Sequence, residues 1–150
     1  MNYQKITTND TANGDGIRVT LWVSGCDHHC SECHNPQTWN PESGKLFDYD
    51  AYTKIFKELE KPWIAGLTLS GGDPFHPANL DNIAMLVCQV KRVFPTKTIW
   101  CYTGYTLEEL WRMRNHNLML SYILNRIDIL VDGEYKKDLK DVSYLFIHTL

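Results

Sequence analysis

The chain has 150 residues, 43% of them hydrophobic, with five Trp, eight Tyr and five Phe, which suits one ordinary domain spanning residues 1–150. Its formal net charge is −3, with no long basic run and no apolar stretch near membrane-spanning length, so neither a nucleic acid nor a membrane is expected as a partner. Five cysteines is an odd number and the opening MNYQKITTND has no apolar signal segment, which speaks against a disulfide framework and for reduced thiols in the cytoplasm.

In chain order, residues 17–24 (IRVTLWVS) alternate and are rich in β-formers, which predicts a strand. The segment SGCDHHCSECHN follows, and the span to about residue 45 has so little regular pattern that it reads as a functional loop. Asp48 can cap a helix over 49–60, with Tyr49, Tyr52, Phe56 and Leu59 on one face. Residues 66–70 (GLTLS) predict a strand, GGDPFHP a loop, and 79–94 a helix with Leu80, Ile83, Leu86, Val87, Val90 and Phe94 at helical spacing. A strand over 98–102 (TIWCY) runs into Thr103-Gly104-Tyr105 and a helix opened by Thr106 and Glu109 as a capping box. A helix over 118–126, a strand over 127–131 (IDILV), Asp132-Gly133, a weak helical turn and a final run over 144–148 complete the chain.

Alternating strands and helices place the chain in the α/β class, with a curved parallel sheet, right-handed crossovers and helices on the outside. Every unusual loop follows a strand: the cysteines, GGDP, TGY and DG. They therefore converge at the C-terminal ends of the strands. The chain is too short for eight βα units, so a partial, open βα barrel is expected.

Cys26, Cys30 and Cys33 stand at C-x3-C-x2-C spacing. Three thiolates in one loop can hold three irons of a [4Fe-4S] cluster and leave the fourth open to a small molecule, which points to catalysis over electron carriage. A structural zinc site is the competing reading, with His28, His29 or His34 completing a Cys3His set, although no second ligand knuckle exists in the chain. Cys88, on an apolar helix face, and Cys101, within a strand, read as small core residues. His76 reads as a loop-packing residue, and Trp63, Trp100 and Trp111 as core or partner-surface aromatics.

The cysteine loop after a first strand and a Gly-Gly-acidic segment after the second are similar to the radical S-adenosylmethionine superfamily. More narrowly, MNY, NGDG, LWVSGC, TLSGGDPFHP, TGYTLEEL and ILVDGEY, in order from Met1 to about Lys140, resemble the branch that activates the anaerobic ribonucleoside-triphosphate reductase. The resemblance implies a radical-enzyme type of partial barrel, a [4Fe-4S] cluster on Cys26, Cys30 and Cys33, and S-adenosyl-L-methionine on its open iron. It implies Gly71 and Gly72 beside the methionine end, where a side chain would block approach, and Asp73 near the ammonium. Glu32, Cys33 and His34 would lie along the adenine, with Thr103 or Asp132 reaching ribose or methionine.

The activity so implied is reductive cleavage of S-adenosyl-L-methionine, fed by a flavodoxin-type electron donor. The 5′-deoxyadenosyl radical then makes a glycyl radical on the catalytic subunit of the reductase, with no side chain needed as acid or base. Three positions depart from the branch. Glu32 replaces a common Gly and is expected to face solvent. His34 replaces a Tyr. Asp15 replaces Pro in the turn before the first strand and should loosen it. The closing DVSYLFIHTL also lacks a Gly-Ser-Ser-Asn-Gln-like segment, which points to a shortened final strand or partner contact. The alternative readings are a radical enzyme on a small molecule, of the deazapurine carboxylate synthase kind, and a non-enzymatic zinc-binding interaction module.

Overall fold

A computed structural model describes residues 1–134 and 147–149 of the chain. Its strands are β1 (Asn2–Asp10), β2 (Ile17–Val23), β3 (Lys45–Leu46), β4 (Ile64–Gly71), β5 (Thr98–Tyr102), β6 (Ile129–Val131) and β7 (Ile147–Thr149). Its helices are α1 (Tyr49–Leu59), α2 (Leu80–Val93), α3 (Leu107–Met113) and α4 (Leu118–Leu124). The strands join in one sheet of order β3-β1-β2-β4-β5-β6-β7.

The predicted parallel sheet is found only at the centre, where β2, β4, β5 and β6 are parallel neighbours. The flanking strands correct that expectation: β1 is antiparallel to β2, β3 to β1, and β7 to β6. The reason for β1 is chain length. Residues 11–16 join it to β2, and a parallel crossover needs about a dozen residues or more. The predicted turn after Gly133 and the first part of the 144–148 run lie outside the described residues; the end of that run enters β7.

Strand alternation sorts the central sheet into two unlike faces. Val19, Leu21 and Val23 of β2, Leu67 and Leu69 of β4, Ile99 and Cys101 of β5, and Leu130 of β6 share one face and form the core. All four helices pack there, through Ile55 and Leu59, Ile83 and Val87, Leu110, and Leu120 and Ile123. Each fully buried Leu or Ile of this layer contributes about 1.5–3 kcal/mol of transfer free energy. The opposite face carries Arg18, Thr20 and Trp22, Thr68 and Ser70, and Thr98, Trp100 and Tyr102. No described helix covers it.

The N-terminal half of that second face is closed by the β1–β2 turn. Arg18 is fully buried, and its guanidinium donates five hydrogen bonds. They go to Thr68 Oγ1, the Asp15 carbonyl, Thr98 Oγ1, the Leu67 carbonyl and the Thr98 carbonyl, at 2.7–3.0 Å. Thr68 Oγ1 in turn donates to the Asn13 carbonyl at 2.7 Å. Gly14, at φ +120°, lies so close that a Cβ would sit 2.8 Å from the Trp100 ring and 2.9 Å from Arg18 Cδ. Burial pulls the Arg18 pKa down to about 10, and the five neutral acceptors satisfy every N–H of the guanidinium.

The helix signals fall as predicted, with one difference. Asp48 Oδ1 accepts from the Ala51 N–H at 3.0 Å, and Thr106 and Glu109 form the capping box. The buried face of α1, however, is Ala51, Ile55 and Leu59, flanked by Tyr52 and Phe56, while Tyr49 is 80% exposed. Tyr49 is the first residue of the helix and projects from its end. Among the described residues no helix is long and apolar enough to cross a membrane.

Candidate metal centre

Because β2, β4, β5 and β6 are parallel neighbours, their C-terminal ends share one edge of the sheet. The loops leaving that edge are tied to one another by hydrogen bonds from main-chain N–H groups. The Gly72 N–H donates to the Val23 carbonyl at 2.8 Å and the Asp73 N–H to the Gly25 carbonyl at 2.7 Å. The Thr103 N–H donates to the Val131 carbonyl at 3.0 Å, and the Leu107 N–H to Asp132 Oδ2 at 2.6 Å. Asn79 Nδ2 spans two loops, donating to the Ser24 carbonyl at 2.8 Å and the Asp73 carbonyl at 2.9 Å.

Both glycines of the GGDP loop are required by this packing. Gly71 has φ +110°, and a Cβ there would stand 2.6 Å from the Val23 nitrogen and oxygen. A Cβ on Gly72 would stand 2.5 Å from the Gly25 carbonyl oxygen. The glycines thus let the β4 loop lie against the root of the cysteine loop, a close backbone approach within the protein itself.

Asp73 is the centre of the assembly. It is 1% exposed, and its carboxylate accepts from four groups on three loops. Oδ1 takes the Phe75 N–H at 2.8 Å and Oδ2 the Gly104 N–H at 3.0 Å and His28 Nε2 at 2.9 Å, while the Thr103 hydroxyl lies between the two, 3.0 Å from Oδ1 and 2.8 Å from Oδ2. The hydrogen bond that His28 donates to Asp73 raises the His28 pKa above the ordinary imidazole value, against the opposing effect of burial. The His28 ring also meets Tyr105 edge-on, with centroids 4.5 Å apart.

Cys26, Cys30 and Cys33 are free, half-buried thiols in the loop that leaves β2. Burial pushes the Cys26 thiol up to about 11. The loop is held at its root, where the Gly25 N–H donates to the Thr38 carbonyl at 2.7 Å and the Cys26 N–H to the Trp39 carbonyl at 3.1 Å. A turn joins the Cys33 N–H to the Cys30 carbonyl at 3.1 Å, and the Asn35 N–H points at Cys33 Sγ at 3.3 Å. His29 adopts the left-handed conformation, φ 48°, with its ring 4.6 Å from Trp39. Glu32 and His34 are both exposed, Glu32 as its residue type led us to expect.

The donor set fits an iron–sulfur cluster better than a lone ion. Among the described residues, no three His, Cys, Asp or Glu side chains are gathered about one point as a single metal ion requires. Zinc needs all its donors about 2.0–2.3 Å from one centre, and His28 Nε2 is already committed to Asp73. A cluster takes one soft thiolate per iron and needs no common point.

The structure ties the root of the cysteine loop, at Val23 and Gly25, to Gly72 and Asp73, Asp73 to Thr103 at the end of β5, and Asp132 after β6 to Leu107. His76 packs against the same loop: a Cβ on Gly25 would meet its Nδ1 at 2.8 Å, and its Nε2 lies 3.5 Å from Asp27 Oδ1. Cys101 is fully buried in the core and Cys88 half-buried on α2, so neither belongs to the loop. Sequence reasoning missed the His28–Asp73 bond, since nothing in the spacing of DHHC distinguishes His28 from His29.

A cysteine loop at the strand ends of an α/β sheet defines the class, and residues 12–148 match the 4Fe-4S single cluster domain. The chain is also 43% identical, over 139 residues, to the anaerobic ribonucleoside-triphosphate reductase-activating protein of Enterobacteria phage T4, covering 93% of this chain and 84% of that protein. It is 42% identical over 148 residues to the protein of that name from Haemophilus influenzae, and 40% identical over 148 residues to the one from Escherichia coli K12. Those two alignments each cover 97% of this chain and 92% of the relative. The chain therefore belongs to the family of anaerobic ribonucleoside-triphosphate reductase-activating proteins, built on an iron–sulfur cluster domain.

Proposed function

We propose that the chain acts as one domain that generates the glycyl radical of an anaerobic ribonucleoside-triphosphate reductase, with Cys26, Cys30 and Cys33 holding a [4Fe-4S] cluster. The observation that carries this reading is the junction of the three-cysteine loop with Gly72 and Asp73 at the ends of β2 and β4, in a chain of this family. When bound, the cluster supplies one-electron reductive cleavage of S-adenosyl-L-methionine, whose 5′-deoxyadenosyl radical takes a hydrogen atom from a glycine of the reductase's catalytic subunit.

The protein's own residues bind and orient. Gly71 and Gly72 keep the rim of β4 free of side chains, which suits the methionine end of S-adenosyl-L-methionine. Exposed Glu32 and His34 stand either side of Cys33, where the family resemblance runs the adenine. Asp73 contributes negative charge near the ammonium at a distance, because its oxygens already serve Phe75, Thr103, Gly104 and His28. The polar and aromatic sheet face, with Trp22, Ser70 and Tyr102 half-buried toward the cysteine end, supports a partial, open barrel that a glycine loop of the partner enters from outside. A flavodoxin-type donor and a cytoplasmic setting complete the reading by family resemblance.

The test is anaerobic reconstitution with iron and sulfide, reduction, addition of S-adenosyl-L-methionine and quantification of 5′-deoxyadenosine, with Cys30→Ala as control. Product that depends on Cys30, followed by a glycyl radical signal when the reductase is added, is the expected result. A colourless, zinc-loaded protein without product would overturn the reading.

A further inference from the structure

Besides its root, the cysteine loop is anchored at His28. His28 lies between two of the three cysteines, and its ring is seated among groups from the β4 and β5 loops. Nε2 donates to Asp73 Oδ2 at 2.9 Å, forty-five positions away, and the ring edge meets Tyr105. The seat is close-fitting: a Cβ on Gly104 would fall 2.4 Å from His28 Cδ2 and 2.8 Å from Nε2. Asp73 is itself fixed by the Thr103 hydroxyl and the Gly104 N–H, so the ring docks on a carboxylate that cannot follow it if the loop moves.

We propose that His28 is a positioning residue: through Asp73 it holds the cysteine loop in register with the ends of β4 and β5, so that the three thiols stay oriented for the cluster. The role goes beyond the ligand set, and it rests on the cluster reading for its purpose though not for its geometry. His28 need not touch the cluster or substrate. A carboxylate–histidine pair beside a metal centre ordinarily orients a ligating ring; here what the pair orients is the stretch of backbone that joins Cys26 to Cys30. The absence of a side chain at Gly104 is part of the same device, because any Cβ there would occupy the ring's position.

Four full-length variants test it: His28→Ala, which removes the anchor; His28→Gln, which keeps an N–H of similar reach; Gly104→Ala, which displaces the ring and leaves Asp73 intact; and the double variant His28→Ala with Gly104→Ala. Far-UV circular dichroism confirms folding of each. The first readout is the rate of alkylation of Cys26, Cys30 and Cys33 in the metal-free chain, resolved by peptide mass spectrometry with buried Cys101 as internal standard. The second is the rate of iron loss to a chelator from the reconstituted chain, with the electron paramagnetic resonance spectrum of the reduced cluster.

His28→Ala and Gly104→Ala are each expected to speed loop alkylation and to raise iron loss by about tenfold, the lower end of what lost outer-shell partners cost. His28→Gln restores most of the difference, and the double variant is no worse than His28→Ala, because the added Cβ then has no ring to strike. Alkylation and iron loss at wild-type rates in His28→Ala overturn the proposal, as do additive effects in the double variant. If the wild-type chain takes up no cluster while the alkylation differences persist, the cluster reading fails and the anchor stands. If the wild-type chain loads normally and the variants match it, the anchor fails and the cluster reading stands.

Discussion

Arg18 on β2 reaches Thr98 on β5 across the whole width of the intervening strand. Nη1 donates to the Thr98 hydroxyl at 3.0 Å and Nη2 to the Thr98 carbonyl at 2.8 Å, eighty positions away in the chain. The same guanidinium serves Thr68 and the Leu67 carbonyl of β4 on the way. One side chain therefore fastens three parallel strands to one another and to the β1–β2 turn.

Replacing Arg18 by Lys should destabilise the fold by about 3 kcal/mol or more, because a point-like ammonium cannot serve five acceptors and buried polar groups are left unpaired. Urea unfolding followed by circular dichroism measures this. A loss below about 1 kcal/mol, the net worth of a single hydrogen bond, would mean that water replaces the guanidinium.

Gly71 and Gly133 share a left-handed φ, +110° and +93°, but differ in surroundings. A Cβ at Gly71 meets the Val23 backbone at 2.6 Å, whereas at Gly133 no described residue lies within 4 Å. Gly133→Ala should cost about 1 kcal/mol from the backbone alone. Gly71→Ala adds overpacking and should cost about 2–5 kcal/mol. Thermal unfolding of the pair compares them directly, and equal costs would contradict the close contact at Gly71.

The cysteines separate into two groups by position. Cys30→Ala should abolish the visible absorption and iron of the reconstituted protein while the far-UV spectrum stays unchanged, since no disulfide or core contact is lost. Cys88→Ala and Cys101→Ala should retain iron, and the buried Cys101 should show a stability loss on the order of 1 kcal/mol. Iron and sulfide analysis after gel filtration decides the point; loss of iron in Cys88→Ala would place a fourth ligand on α2.

Asp128 couples α2 to the root of β5. Lys91 Nζ donates to both its oxygens, at 2.8 and 2.6 Å, and Oδ2 also accepts from the Ile99 N–H at 2.6 Å. Asp128→Ala should cost about 1–3 kcal/mol, mostly from the part-buried Ile99 N–H left without its acceptor. Lys91→Met should cost less, because the carboxylate keeps the Ile99 bond. Denaturant midpoints of the two variants test that order.

Much of the central fold was legible because its signals are local. IRVTLWVS alternates and is rich in β-formers, Thr106 and Glu109 stand at capping-box spacing, and the loops bearing Cys26, Gly72 and Thr103 each follow a strand, so their meeting at one edge follows from parallel topology. The strand β1 was not read from NYQKITTND, whose residues are mostly half-buried on an outlying strand and show no apolar stripe. A usable signal was present in the shortness of residues 11–16, which forces a hairpin onto β2. Arg18 and His28 were illegible for another reason. Charged or polar side chains are read as surface by default, and what buries these two is a set of acceptors distant in sequence: Thr98 for Arg18 and Asp73 for His28. Gly71 and Gly72 were noticed for the right property, small size, while the packing against Val23 and Gly25 that also demands it depends on register and shows only in three dimensions.

The four α-helices pack on one side of the sheet, and the turn anchored by Arg18 closes the N-terminal half of the other. Among the described residues, no α-helix packs over the cysteine end of that second face. A polypeptide docked over that face shields a highly reactive radical there from water. On the function proposed here, the docking chain is both the target and the shutter. Containment is then a property of the complex, and the isolated protein, bound to S-adenosyl-L-methionine and reduced, would leak its radical to solvent in unproductive turnover that falls as the partner is added.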